Sequence, residues 1–138
     1  MLPIKRIDHV SLAVPDLQER VKFYEDLFGM RLTDEYGEPF DGFQTVDLTI
    51  PGSDTHLELI APATPDNFVA KFLEQKGSMV HHLTFEVTDI REAARVLREY
   101  GIEPFGYRED AEWARELFIH PRYTGGVLIQ LFEPHKEP

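Results

Sequence analysis

Two histidines, a glutamate and a glutamine stand at matched places in a repeated sequence. Ile7-Asp8-His9-Val10-Ser11-Leu12-Ala13-Val14-Pro15-Asp16-Leu17 has the layout of Val80-His81-His82-Leu83-Thr84-Phe85-Glu86-Val87-Thr88-Asp89-Ile90, 73 positions further on. His9 falls on His82, Val14 on Val87 and Asp16 on Asp89. Later in each copy, His56-Leu57-Glu58-Leu59-Ile60-Ala61-Pro62 aligns with Leu128-Ile129-Gln130-Leu131-Phe132-Glu133-Pro134 at an offset of 72, which puts Glu58 on Gln130. Two imidazoles, one carboxylate and one amide carbonyl can hold a divalent cation. Mixed nitrogen and oxygen donors suit zinc, cobalt, nickel, iron or manganese better than copper(I) or calcium. Four protein ligands would leave two octahedral positions for water or substrate oxygens, and such an open site polarises a carbonyl as a Lewis acid.

These residues need strands to hold them. In residues 5–14, Val10, Leu12 and Val14 alternate with His9, Ser11 and Ala13, so the two sets face opposite sides of a strand. The Val/Leu face calls for a helix, and His9 lies on the other. Asp16-Leu17-Gln18-Glu19 starts that helix as a capping-box variant; Leu17, Val21, Tyr24 and Phe28 form its apolar stripe, and Gly29 stops it. Three strands follow, at Arg31–Tyr36, Phe43–Ile50 and Thr55–Ile60, the last with His56, Glu58 and Ile60 on one face. Pro62 to Gly77 connects the halves, with a helix starting at Thr64-Pro65-Asp66 and carrying Phe68, Val69, Phe72 and Leu73 on one side. The plan then repeats: a strand over Met79–Val87 with His82, Thr84 and Glu86 on one face, a helix capped by Asp89 with the stripe Ile90, Ala94, Leu97 and Tyr100, and strands at Pro104–Tyr107, Ala114–His120 and Gly126–Phe132. Parity turns His81 away from His82. His56 reads as a rim residue, His120 as a structural residue or substrate contact, and His135 as part of the tail.

The expected fold is α+β: two tandem βαβββ modules with pseudo-twofold symmetry, their curved sheets forming a cleft around a metal site. One domain spans residues 1–138, with module one at about 5–61, a connecting helix at about 64–77 and module two at about 79–134. A chain of 138 residues with 42% hydrophobic content can bury a core of this kind. The absence of cysteine excludes disulfides, thiolate ligands and a cysteine nucleophile. A net charge of -11 opposes nonspecific binding to nucleic acid or anionic membrane. No apolar run is long enough to span a membrane and the N-terminus has no signal-peptide core, so the expected location is cytoplasmic.

Several segments together resemble the vicinal oxygen chelate superfamily, which includes glyoxalase I, extradiol dioxygenases, bleomycin-resistance proteins and methylmalonyl-CoA epimerase. They are Ile7-Asp8-His9-Val10, Lys22-Phe23-Tyr24-Glu25-Asp26-Leu27-Phe28-Gly29, Leu57-Glu58-Leu59-Ile60-Ala61-Pro62, Val69-Ala70-Lys71-Phe72-Leu73, His81-His82-Leu83, His120-Pro121-Arg122 and Gly125-Gly126-Val127-Leu128-Ile129. The resemblance is strongest to the epimerase branch and covers about residues 5 to 134. It implies the paired-module cleft and metal ligands at His9, Glu58, His82 and Gln130. In the epimerase branch the last of these is normally a glutamate that also acts as acid/base. Gln130 cannot accept a proton from carbon near neutral pH, so that role is absent at this position. A second departure is Tyr107-Arg108-Glu109-Asp110-Ala111-Glu112-Trp113-Ala114-Arg115, an acidic loop where the branch has a glycine-containing turn. It reads as a solvated loop with Trp113 packed at an edge.

The resemblance implies a metal-dependent isomerase or lyase, similar to methylmalonyl-CoA epimerase or glyoxalase I, that polarises a substrate carbonyl for proton transfer. Its substrate would be a small molecule such as an acyl-CoA or a 2-oxo compound. Glu58 is the first candidate base, as ligand and acid/base together, and Asp47 on the polar face of the neighbouring strand is the second. Two other readings stand beside it: an extradiol-type dioxygenase, and a non-catalytic binding protein of the bleomycin-resistance kind. Dimers are common in the superfamily, which makes a homodimer the expected assembly.

Overall fold

The computed structural model describes every residue except 34, 35, 37, 38 and 136–138. The chain packs into two compact units, His9–His81 and Met1–Asp8 with His82–Pro138.

The first unit takes the later half of β1 (Ile4–Ala13), then α1 (Leu17–Phe28), β2 (Arg31–Leu32), β3 (Phe43–Thr49), β4 (His56–Pro62) and α2 (Phe68–Lys76). β1 pairs parallel with β4, β4 antiparallel with β3, and β3 antiparallel with β2. As the sequence predicts, Asp16 caps α1: its side chain accepts from the backbone N–H of Glu19 at 3.2 Å, a contact worth about 1 kcal/mol. Gly29 closes the helix in the left-handed conformation at φ 68°, where a Cβ would be strained. Leu17 and Val21 bury against Val14, Val46, Leu48, Leu59 and Ala61. Phe28, expected in this stripe, is 57% exposed instead. It is the last helical residue, and its ring packs on Tyr24 at 5.1 Å outside the core.

Two expectations for this unit are corrected. Of the strand expected over residues 31–36, only Arg31–Leu32 pairs, with Thr49 and Leu48; residues 34 and 35 lie outside the described residues. The connecting helix starts later than Thr64-Pro65-Asp66. Asn67 is its cap, its side chain accepting from the N–H of Ala70 at 2.8 Å, while the chain before it is tied to the carbonyl of Gly42 by the N–H groups of Ala63 and Thr64. This helix does more than connect. Val69 is fully buried with Ala13 and Ile60, and Phe43, Phe72 and Leu73 pack on the same cluster. The face of β1 and β4 opposite α1 is therefore partly covered by α2.

The second unit has β5 (Met79–Val87), α3 (Ile90–Glu99), β6 (Phe105–Arg108), β7 (Ala114–Ile119), a short 3-10 turn (Pro121–Tyr123) and β8 (Leu128–Pro134). Its pairings repeat those of the first: β5 parallel with β8, β8 antiparallel with β7, β7 antiparallel with β6. Even the register repeats. Ser11 sits opposite Glu58 and Thr84 opposite Gln130, as the alignment of the two copies requires. Asp89 caps α3 by accepting from Glu92 N–H at 3.0 Å. Ile90, Ala93, Ala94 and Leu97 bury against Val87, Leu117, Ile119 and Leu131. Each large aliphatic side chain in this cluster contributes roughly 1.5–3 kcal/mol. Tyr100, expected in the stripe, is 84% exposed, because the helix ends at Glu99. The start of β1 belongs to this unit: Thr88 N–H donates to the carbonyl of Pro3, and Arg6 Nε donates to Glu86 Oε1 at 3.0 Å. No helix among the described residues is long and apolar enough to cross a membrane.

Candidate functional site

Each unit has one sheet face packed on its N-terminal helix and one that carries polar groups. In the first unit that polar face holds His9, Ser11, Asp47, His56 and Glu58. β1 brings His9 and Ser11 there by strand parity, and pairing with β4 sets Ser11 opposite Glu58. Glu58 Oε1 accepts from Ser11 Oγ at 2.9 Å, and Glu58 Oε2 stands 3.7 Å from His9 Nε2. β3 places Asp47 opposite Glu58 in register, and Asp47 Oδ1 lies 3.3 Å from His56 Nε2. The His56 ring stacks on the His9 ring, with centroids 4.9 Å apart and planes at 29°. His56, expected at a rim, is thus part of the same cluster. Asp47 joins it through His56 and through its register with Glu58.

The electrostatics of this cluster centre on Glu58. Burial pushes its carboxyl above the ordinary range, since the charged form loses water. His9 opposes that rise, Asp47 adds to it as a like charge, and Ser11 opposes it by donating to the carboxylate. The result is a carboxyl whose proton is held more tightly than in water. Acid/base groups in enzymes are tuned in this direction.

In the second unit the polar face holds His82, Thr84, Glu86, Glu116 and Gln130. Thr84 is fully buried, and its Oγ1 donates to Gln130 Oε1 at 2.9 Å. This is the repeat-related counterpart of the Ser11–Glu58 bond. Gln130 Nε2 donates to Glu116 Oε1 at 2.8 Å, and Arg108 Nε donates to Glu116 Oε2 at 2.6 Å. Glu116 is only 2% exposed. The sequence reading missed it, although its alternation with the inward-facing Leu117 signals a charge on the buried polar face. Ser11 and Thr84 were legible as a matched pair of hydroxyl residues but were not singled out.

The remaining expectations resolve simply. His81 packs against Phe72 at 4.8 Å and Phe68 at 5.6 Å, and burial holds its imidazole below the usual range. His120 caps the 3-10 turn, its Nδ1 accepting from Arg122 N–H at 3.1 Å, which is the structural role. His135 Nε2 lies 2.7 Å from the Ala111 carbonyl oxygen. In the acidic loop Trp113 packs on Phe132, with ring centroids 5.1 Å apart. Glu109 is not simply solvated: Arg91 and Arg115 both pair with it, and the hydrogen bond from Arg91 holds its carboxyl below the ordinary range.

The donor chemistry of the first unit fits a divalent cation. Ligands about 2.1 Å from one ion stand roughly 3.0–3.4 Å apart in octahedral or tetrahedral arrays. The 3.7 Å between His9 Nε2 and Glu58 Oε2 is close to that spacing and too long for a good hydrogen bond. In the second unit Gln130 supplies a carbonyl oxygen whose second lone pair can serve an ion while Thr84 occupies the first.

Comparison with known proteins agrees with this architecture. The chain is 33% identical over 132 residues to an ethylmalonyl-CoA/methylmalonyl-CoA epimerase of Cereibacter sphaeroides, covering 93% of this chain and 97% of that protein. The crystal structure of methylmalonyl-CoA epimerase from Mycobacterium tuberculosis superposes with a TM-score of 0.86 at 34% identity, over 99% of this chain and 92% of the other. A methylmalonyl-CoA epimerase in complex with methylmalonyl-CoA and ammonium superposes with a TM-score of 0.82 at 28% identity, over 98% and 99% of the two chains. The family model of the Glyoxalase/Bleomycin resistance protein/Dioxygenase superfamily matches residues 6–131. With the repeated βαβββ units and these relatives in view, the chain belongs to the Glyoxalase/Bleomycin resistance protein/Dioxygenase superfamily and is epimerase-like within it.

Proposed function

We propose that this chain is a metal-dependent isomerase that moves a proton at the carbon beside a carbonyl, with an acyl-CoA as the favoured substrate class and a 2-oxo compound as the next. The observation that carries the reading is Glu58: a carboxyl raised by burial, oriented by Ser11 and set 3.7 Å from His9. The similarity to epimerases, one of them bound to methylmalonyl-CoA, supports the substrate class.

In this reading the two units work as one domain, and His9, Glu58, His82 and Gln130 jointly hold the cation. The support for that grouping is the sequence repeat together with the family resemblance. A bound zinc, cobalt, nickel, manganese or iron ion would polarise the substrate carbonyl and lower the cost of negative charge on it. The protein's own residues handle the proton. Glu58 takes it from the carbon or returns it, with its raised affinity for a proton suited to the task. Asp47 is the second acid/base group, and its 3.3 Å contact with His56 Nε2 holds it in place. Gln130 binds and orients but transfers no proton. The proposed assembly is a homodimer, on the family resemblance alone, and light scattering on the purified protein tests it.

The test of function is solvent exchange. Methylmalonyl-CoA, ethylmalonyl-CoA and a set of small 2-oxo acids are incubated in deuterated water with enzyme and each metal, and mass spectrometry follows deuterium at the carbon beside the carbonyl. Incorporation that Glu58→Gln abolishes is the expected result. No incorporation with any metal and any of these compounds sinks the proposal.

A further inference from the structure

The two units differ at the repeat-related place on their last strand, which is Glu58 on β4 in the first and Gln130 on β8 in the second. Beside Gln130 the second unit buries a carboxylate, Glu116 on β7. The repeat-related partner of Glu116 is Thr45, since Thr45 pairs with Ile60 and Glu116 with Phe132. A charged group has therefore been buried on β7 in the one half that carries an amide on its last strand. Burying a carboxylate is costly unless it is paired, and Glu116 packs no apolar core.

The hydrogen bonds show what Glu116 does for its neighbour. Arg108 can only donate, and it holds Glu116 Oε2 at 2.6 Å. The Glu116 carboxylate can only accept, so the amide nitrogen of Gln130 must point at it, at 2.8 Å. That leaves the Gln130 carbonyl toward Thr84, whose hydroxyl donates to it at 2.9 Å. Thr84 alone could not choose, because a hydroxyl both donates and accepts. A carboxylate such as Glu58 presents oxygen either way round and needs no such partner. An amide presents oxygen in one of its two orientations only.

We propose that Glu116, itself set by Arg108, is a positioning residue that fixes the Gln130 amide with its carbonyl oxygen, not its NH2, available as a donor. The ligand role of that oxygen rests on the metal reading above; the orientation does not.

Glu116→Gln is the informative variant. It is isosteric, but Arg108 would draw its carbonyl, so its NH2 would turn to Gln130 and reverse the amide. Two measurements read this. In proton–nitrogen spectra of the metal-free protein, the Gln130 side-chain amide, assigned by its loss in Gln130→Glu, is expected to shift markedly in Glu116→Gln as its carboxylate partner disappears. In cobalt titration calorimetry, Glu116→Gln is expected to weaken binding by about 10–100-fold. The double variant Glu116→Gln/Gln130→Glu is expected to restore it, because an oxygen donor returns with an NH2 group facing it. An unmoved Gln130 amide overturns the proposal. So does a folded Glu116→Gln protein that binds cobalt like wild type, or a double variant no better than the single one. If the wild-type protein takes up none of cobalt, zinc, nickel or manganese, the metal reading falls, and the amide spectrum still decides the orientation.

Discussion

Thr84 donates to Gln130 across β5 and β8 at 2.9 Å, and Ser11 donates to Glu58 across β1 and β4 at the same distance. One hydroxyl per unit thus holds the functional group of the strand paired beside it. The pairing is parallel in both units and the register is the same. The two acceptors differ in one respect that matters for chemistry: Glu58 can exchange a proton and Gln130 cannot.

Removing the Ser11 hydroxyl acts on that difference. Ser11 opposes the rise in the Glu58 proton affinity, so Ser11→Ala raises it further. Protons then compete with metal at higher pH. The expected outcome is that the pH midpoint of cobalt binding, followed by calorimetry, moves up in Ser11→Ala. An unchanged or lower midpoint contradicts the assigned role of the hydroxyl.

Asp47 has the opposite sign. Its charge adds to the rise at Glu58. Asp47→Asn removes that repulsion, lowers the Glu58 proton affinity and shifts the acid limb of the deuterium-exchange profile to lower pH. If Asp47 is also the second acid/base group, exchange at the optimum drops by roughly 10²–10⁴-fold. A shifted profile with an undiminished optimum assigns Asp47 an electrostatic role only.

His81 predicts a pH dependence of stability. Burial against Phe68 and Phe72 lowers its folded-state affinity for a proton. Below about pH 6.5 the unfolded chain takes up a proton that the folded chain declines. The contribution is present in full above that pH and is lost as pH falls toward the depressed folded value. Urea unfolding of chelator-treated protein is expected to show this loss as the pH falls below about 6.5, and His81→Phe is expected to flatten it.

Gly106 is a position where a side chain does not fit. It sits at φ 62°, where β6 shifts register on β7, and a Cβ there would come within 2.8 Å of the Phe118 ring. Gly106→Ala is expected to cost about 1–3 kcal/mol, from left-handed strain and the displaced ring together. Thermal melts check this, and Gly52→Ala is the comparison. Gly52 has a similar φ of 87° but nothing within 4 Å of its added Cβ, so it should cost less.

Much of this was legible before any coordinates, for reasons that are local. Side-chain parity along a strand is covalent geometry, so His9, Ser11, Glu58, Thr84 and Gln130 could be assigned to faces directly. The caps Asp16 and Asp89 and the stop Gly29 were readable for the same reason, since each acts within one helical turn. Expectations failed where an element's end decided the outcome. Phe28 and Tyr100 continue their helical stripes in sequence, but their helices end there and both are exposed. Asn67 and not Thr64 caps α2, and the chain at Ala63 and Thr64 is tied instead to the carbonyl of Gly42, more than twenty residues away.

The sequence by itself determined the repeat, the order of elements and the identity of the donor groups, because those follow from residue type and spacing along one strand or helix. Only the tertiary structure decided which groups touch. His56 meets Asp47 through the antiparallel pairing of β3 and β4, and Glu116 meets Gln130 through that of β7 and β8. α2 covers Ala13 and Ile60 by packing across the sheet. Strand register and the reach of a side chain depend on the whole pairing pattern, which no local window contains. The orientation of the Gln130 amide shows this most clearly, because it is set by a carboxylate on another strand and by the arginine that holds it.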